Sequence, residues 1–115
     1  MSLASLFARL TSSVSVPAIE HEDFEKACLE GHCHVIDVRE PHEYAAGRIP
    51  HAVNHPLSQF DPAKLPTDKP VVLVCQAGGR SAKALAQVQA TGRKDVVHYA
   101  LGTGGWKQRG GAIIL

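Results

Sequence analysis

The stretch VVLVCQAGGRSAKALAQ, residues 71–87, joins two kinds of local structure at one cysteine. Its first four residues are apolar and mostly β-branched, as is typical of a strand buried on both faces of a parallel sheet. Residues 81–90 are rich in Ala, Leu, Lys and Gln, which favour a helix. The stretch therefore predicts a strand, a short glycine-containing loop and a helix, with Cys75 at the carboxyl end of the strand.

Other apolar runs predict further strands, and segments of helical character lie between them. The strands predicted besides 71–74 are residues 34–38, 96–99, 16–19 and 52–55. The helices predicted besides 81–90 are residues 23–30 and 41–46, each followed by glycine. Because strands alternate with helices, we expect an α/β fold, a three-layer sandwich in which a mostly parallel five-stranded sheet carries helices on both faces.

The chain of 115 residues has room for one compact domain. Residues 1–15 contain no acidic side chain, and their large apolar residues fall at helical spacing. We therefore expect an N-terminal amphipathic extension over residues 1–15 and one domain over residues 16–115. The composition of the extension is also compatible with an organellar presequence.

Charge and cysteine content narrow the classes of partner and compartment. Twelve basic and eleven acidic residues give a net charge of +1 with no basic cluster, so we expect no nucleic-acid partner. The apolar runs are far shorter than the ~20 residues of a membrane helix, so we expect no membrane span. Three cysteines without paired spacing do not form a disulfide framework, and they predict a reducing, cytoplasmic location.

The residues that follow Cys75 favour a reactive thiolate. Gly78 and Gly79 allow the backbone to turn several amide N–H groups toward one point, and the following helix adds the positive end of its dipole. Arg80 adds a charged fork suited to an oxyanion. The alternative, that Cys75 is a small apolar residue at the end of a buried strand, does not explain these neighbours. We therefore predict a lowered pKa for Cys75 and a site able to hold a thiosulfonate, phosphate or arsenate group against the sulfur, or to stabilise a persulfide on it.

Two charged residues close to the next predicted strand end are candidates for bracing this site. Asp37 and Arg39 lie where residues 34–38 end, at the same edge of the sheet as Cys75. One hypothesis is that they hold the loop through an ion pair or hydrogen bonds. The other is a purely structural pairing with Glu40 or Glu43.

A cluster of histidines and cysteines at residues 28–34 raises the question of a metal site. Cys28 and Cys33 are not spaced as zinc ligands, and consecutive residues entering a strand point to alternate faces. We therefore expect no metal ion, and the residues call for no organic cofactor.

Several ordered motifs resemble those of the single-domain rhodaneses, the thiosulfate sulfurtransferases. CQAGGRS (75–81) resembles their active-site loop, HVIDVREPHEY (34–44) their Asp-Val-Arg segment, GRIPHAVN (47–54) their Gly-His-Ile-Pro-Gly-Ala-x-Asn stretch, and GTGGW (102–106) their Gly-rich region before a tryptophan. The resemblance runs from about residue 16 to the C-terminus. His51 and Leu101 replace usual glycines, and Arg48 replaces a usual histidine. The expected fold is therefore rhodanese-like.

The resemblance implies covalent catalysis at Cys75 with ping-pong kinetics. The thiolate would take a sulfur atom from thiosulfate or a similar small anionic donor and pass it to cyanide or a thiol acceptor. The candidate substrate-binding residues are Gln76, Ala77, Gly78, Gly79, Arg80 and Ser81.

Three alternatives use the same loop differently. A persulfide relay carrier would receive sulfur from one protein and deliver it to another. Phosphatases and arsenate reductases with a similar site have one more residue between cysteine and arginine than the four found here between Cys75 and Arg80. A non-catalytic interaction module commonly lacks the cysteine. Sulfur transfer is therefore the favoured function.

Overall fold

The computed structural model describes residues 17–115, so the predicted extension over residues 1–15 lies outside the described residues. Within these residues there are four helices, α1 (His21–Glu30), α2 (Pro41–Ala45), α3 (Gly79–Gln89) and α4 (Gly102–Gln108). The same residues form four strands, β1 (His34–Asp37), β2 (Val53–Asn54), β3 (Val71–Val74) and β4 (Val96–His98). Two short 3₁₀ turns, Leu57–Gln59 and Pro62–Lys64, lead from β2 toward β3.

The four strands form one parallel sheet in the order β2-β1-β3-β4. Strand β3 lies inside the sheet, between β1 and β4, and all four of its side chains are buried. This explains why its sequence is continuously apolar, because a strand covered on both faces has no side exposed to water. The parallel α/β arrangement predicted from the sequence is confirmed.

Of the fifth predicted strand, residues 16–19, the described residues 17–19 form a single bridge. Ala18 pairs with His98 in parallel at the outer edge of β4, through bonds from the His98 amide to Pro17 and from the Ile19 amide to His98. Pro17 has no N–H to donate, and α1 begins only two residues after Ile19. The segment is therefore too short to continue as a strand, and the described sheet has four strands rather than five.

Apolar cores lie on both faces of the sheet, as expected for a three-layer sandwich. One core packs Phe24 of α1 and Trp106 of α4 against one face. The other packs Leu85 and Val88 of α3 against the opposite face, and it includes the side chain of Cys75. Cys75 therefore lies between the sheet and α3, next to the first turn of that helix.

No helix within residues 17–115 combines the length and the apolar character that a membrane crossing requires.

Candidate active site

Cys75 follows β3 directly, and its sulfur accepts two backbone hydrogen bonds. The Gly78 amide donates to Sγ at 3.1 Å and the Ser81 amide at 3.3 Å. Ser81 belongs to the first turn of α3, whose amide groups have no partner within the helix. The side chain is almost fully buried, at 1% exposure. The structure thus places the thiol of Cys75 at the positive end of a helix, inside a turn of backbone donors.

The surroundings of Cys75 favour its thiolate. Burial alone raises the pKa of the thiol, but the hydrogen bond with the Ser81 side chain and those from the amides of Ser81, Ala77 and Gly78 outweigh burial. The pKa of Cys75 therefore lies below its ordinary value. Burial raises the pKa of Cys28, and it raises the pKa of Cys33 to about 12. Of the three cysteines, Cys75 alone has the environment of a nucleophile.

The loop over residues 76–81 is shaped by glycine and by its contact with the segment before α4. Gly78 has φ of 100°, and a Cβ there would lie 2.5 Å from the Ala100 carbonyl oxygen. Gly102 has φ of 69°, and a Cβ there would lie 2.3 Å from the Gln76 carbonyl oxygen. Both positions therefore require glycine. Leu101, which replaces a usual glycine, is 42% exposed, and Gly102 makes the close approach instead.

Helix α4 is anchored to the same loop by its first amides. Thr103 N–H donates to the Cys75 carbonyl at 2.8 Å, and Gly104 N–H donates to the Gln76 carbonyl at 3.1 Å. These bonds occupy the carbonyl groups on the outer side of the loop. The amides of Gly78 and Ser81 are directed toward the sulfur.

Arg80 is held by a carboxylate on α2. Its Nη1 donates to Glu43 Oε1 at 2.6 Å and its Nη2 to Oε2 at 2.9 Å. The bond from Arg80 is the main reason why the pKa of Glu43 falls to about 2. Glu43 Oε1 also accepts the Glu40 amide in a capping box that begins α2. The guanidinium is thus directed at Glu43, and the role of Arg80 toward a donor stays a prediction.

Asp37 and Arg39 are paired with each other. Both are buried, and the Arg39 guanidinium donates to both Asp37 oxygens at 2.8–3.1 Å. Arg39 also donates to the Gly47 carbonyl at 2.7 Å and to Gln76 Oε1 at 3.3 Å. The pair therefore joins the end of β1 to the 76–81 loop. Its partners are neither Glu40 nor Glu43.

Two residues at the site were not identified from the sequence as part of it. Glu43 is the partner of Arg80, and His98 contacts the loop from β4. His98 is buried, its Nδ1 lies 2.8 Å from Ser81 Oγ, and burial lowers its pKa. The sequence places His98 near the carboxyl end of a predicted strand. This position indicates a contact with the loop only once β3 is known to pair with β4, because that pairing places the two strand ends side by side.

Three of the histidines and cysteines in residues 21–34 have separate hydrogen-bond partners. His21 bonds the Tyr99 hydroxyl, His34 bonds Asp68, and the Cys28 thiol bonds the Pro50 carbonyl. Among residues 17–115, no three side chains of His, Cys, Asp or Glu are grouped so as to hold a metal ion.

Comparisons with known proteins identify the family of the chain. The profile of the rhodanese-like domain matches residues 20–109. The chain is 33% identical over 82 residues to a sulfurtransferase of Allochromatium vinosum, and the aligned region covers 70% of this chain and 77% of that protein. It is 40% identical over 78 residues to an uncharacterized protein of Synechocystis, which covers 66% of this chain, and the chain spans only 44% of that protein.

Solved structures share the fold. A rhodanese-related protein from Thermoplasma volcanium superposes with a TM-score of 0.76 at 29% identity, covering 85% of this chain and 97% of that one. The profile match extends over most of the chain, and its residues include the whole of the 76–81 loop. This chain belongs to the rhodanese-like domain family.

Proposed function

We propose that this protein is a sulfurtransferase that carries sulfane sulfur as a persulfide on Cys75. One observation carries the proposal: Cys75 Sγ accepts the amides of Gly78 and Ser81 at the start of α3. These donors favour the thiolate, and backbone amides in such a turn are also suited to stabilise the charge of a persulfide. Relatives named as sulfurtransferases support the same class of reaction.

The reaction has two steps, and the enzyme returns to its starting state. In the first, the Cys75 thiolate attacks the outer sulfur of thiosulfate, a new S–S bond forms, and sulfite leaves with the electrons of the broken S–S bond. In the second, cyanide or a thiolate attacks the outer sulfur of the persulfide, and the Cys75 thiolate leaves. No electrons enter or leave overall. We propose that residues 76–81 bind the donor and that Arg80 orients its negative end, while Asp37 and Arg39 brace the loop.

A persulfide relay is the second candidate, and the ion pair of Arg80 with Glu43 favours it. The cation predicted to attract a small anion already has a bidentate partner at 2.6 and 2.9 Å. Thiosulfate would have to compete with that carboxylate for Arg80. A persulfide presented by a partner protein carries less charge and has less need of this cation. For both candidates, the choice of physiological donor and acceptor and the cytoplasmic location are part of what we propose.

A phosphatase reaction is less well supported, because it requires an acid to protonate the leaving oxygen. The carboxyl group that contacts the loop is Glu43, and its pKa of about 2 keeps it ionised near neutral pH. Asp37 is buried in its ion pair with Arg39. Sulfite, in contrast, leaves as an anion and needs no proton.

Mass spectrometry tests the proposal directly. We expect incubation with thiosulfate to add one sulfur atom to the chain and cyanide to remove it. The Cys75→Ser variant should take up none, and uptake equal to that of the parent would overturn the proposal. Steady-state rates with thiosulfate, mercaptopyruvate and a persulfidated protein then distinguish the two candidates. A relay carrier should turn over slowly with both small donors and load rapidly from the protein.

A further inference from the structure

The Ser81 hydroxyl has one proton and three neighbours that compete for it. Its oxygen lies 2.8 Å from His98 Nδ1, 3.2 Å from the Gly78 carbonyl oxygen and 3.6 Å from Cys75 Sγ. A carbonyl oxygen and a thiolate can only accept, whereas a histidine nitrogen either donates or accepts. If His98 accepts, it takes the Ser81 proton itself, and if His98 donates, the proton is left to the Gly78 carbonyl or to the sulfur of Cys75.

The position of the His98 side chain is fixed by burial and by the backbone pairing of β4. It is 6% exposed, and its backbone is fixed on one side by β3 and on the other by the bonds with Pro17 and Ile19. Burial lowers the pKa of His98, so the ring is neutral near neutral pH. A neutral ring carries one proton, on Nδ1 or on Nε2.

The two neutral forms of His98 have opposite effects on Cys75. With the proton on Nε2, Nδ1 accepts the Ser81 hydroxyl and only lone pairs of Oγ face the sulfur. That arrangement suits a protonated thiol, which can donate to Oγ. With the proton on Nδ1, His98 donates to Oγ, and the Ser81 proton is available to the thiolate. Protonation of the ring at low pH also leaves Nδ1 as a donor.

We propose that His98 is a positioning residue that donates from Nδ1 to Ser81 Oγ and thereby directs the Ser81 hydroxyl proton to the sulfur of Cys75. The inference rests on the proposed function, in which the thiolate is the nucleophile and the leaving group. His98 does not touch the sulfur, and it acts only through Ser81. The same hydrogen bond is available to a persulfide formed on Cys75.

The charged groups around the site are paired with one another. Cys75 contributes to raising the pKa of Arg80, whose guanidinium is paired with Glu43. Arg39 is paired with Asp37. For His98, burial is the cause of its lowered pKa, and the Ser81 hydroxyl lies within hydrogen-bond distance of its ring.

The test is the pH midpoint of Cys75 ionisation, followed by the ultraviolet absorbance of the thiolate. Each spectrum is taken as the difference from the same protein carrying Cys75→Ser, which removes the contribution of tyrosines and of the other cysteines. The measurement requires no sulfur donor. Failure to take up sulfur from thiosulfate would therefore leave this test intact, and the two proposals fail separately.

We expect His98→Leu, which has no donor, to raise the midpoint by about one pH unit, so that about tenfold less thiolate is present below the midpoint. His98→Asn offers an amide N–H near the position of Nδ1, and it should restore the midpoint of the parent. Ser81→Ala should raise the midpoint, and adding His98→Leu to it should produce no further shift. Melting temperatures establish that each variant is folded.

Two outcomes would overturn the proposal. One is a midpoint in His98→Leu equal to that of the parent. The other is a shift in His98→Leu that persists undiminished in the Ser81→Ala background, because His98 would then act on Cys75 without Ser81.

Discussion

Arg80 and Glu43 form a two-bonded ion pair, with Nη1–Oε1 at 2.6 Å and Nη2–Oε2 at 2.9 Å. The pair joins the first turn of α3 to α2, two elements separated by β2 and β3 in the chain. The arginine of the 76–81 loop thus has a fixed partner beside Cys75. Its charge is available to a donor only to the extent that the donor competes with Glu43.

The substitution Glu43→Gln should change how the site uses small anions. Removal of the carboxylate charge leaves Arg80 free to bind the donor, so we expect the KM for thiosulfate to fall about two- to fivefold, the range of a partly exposed ion pair. The effect should shrink at high salt, because ions screen the charge. Steady-state kinetics check this. The control is Glu22→Gln, an equal charge change at an exposed position on α1, and a raised KM in Glu43→Gln alone would contradict the prediction.

The same pair should make stability depend on pH. The pKa of Glu43 is about 2 in the folded protein and 4.5 ordinarily, so the unfolded chain binds this proton more readily. The stabilisation is therefore fully present above pH 4.5 and is lost as pH falls toward 2. Arg80 and Glu43 are 34% and 25% exposed, so screening limits the effect to about 1 kcal/mol.

Urea unfolding at pH 7 and pH 3 measures that contribution. We expect Glu43→Gln to be about 1 kcal/mol less stable than the parent at pH 7 and closer to it at pH 3. If both proteins lose the same free energy of unfolding between the two pH values, Glu43 is not the group responsible.

The surroundings of the Cys75 thiol could be predicted from sequence because their main determinants are local. The apolar residues of β3, the two glycines and the helix that follows lie within a few positions of the cysteine. The start of α3 was predicted two residues late, at Ser81 instead of Gly79. The helix begins earlier because Gly78, with φ of 100°, forms its N-cap.

The partners of the site could not be predicted, because they depend on contacts between distant segments. Glu43 reaches Arg80 across 37 positions, and His98 reaches Ser81 across 17. Helix α4 could not be predicted for the same reason. Its sequence GTGGWKQ is rich in glycine, which disfavours helices. Tertiary bonds from its first amides to Cys75 and Gln76 help to hold it.

The two adjacent glycines should respond in opposite ways to alanine. Gly78→Ala introduces a Cβ at φ of 100° and 2.5 Å from the Ala100 oxygen, so we expect a loss of about 2–4 kcal/mol and an impaired Cys75 site. Gly79 lies in α3 with nothing within 4 Å of an added Cβ. We expect Gly79→Ala to be neutral or to stabilise the protein by up to about 1 kcal/mol. Chemical denaturation checks both, and equal losses in the two variants would contradict this account of the loop.

The substitution Arg39→Lys tests whether Arg39 supports the 76–81 loop structurally or takes part in the reaction. Lysine keeps the charge but cannot reach Asp37, Gly47 and Gln76 together, as the planar fork of Arg39 does. We expect a loss of about 2–3 kcal/mol in the free energy of unfolding, because buried hydrogen bonds to charged groups are left incomplete. The matched control is Arg93→Lys, whose pair with the half-exposed Asp95 should be worth less than about 1 kcal/mol.

Activity of the same variant tests the role of Arg39 more closely. Arg39 contacts the loop through the side chain of Gln76, whereas the sulfur is held by backbone amides of Gly78 and Ser81. In the folded variant we therefore expect kcat/KM for thiosulfate to fall less than about tenfold, which is under 1.4 kcal/mol in transition-state stabilisation. A loss of several hundredfold with little change in stability would instead assign Arg39 a direct part in the transfer of sulfur.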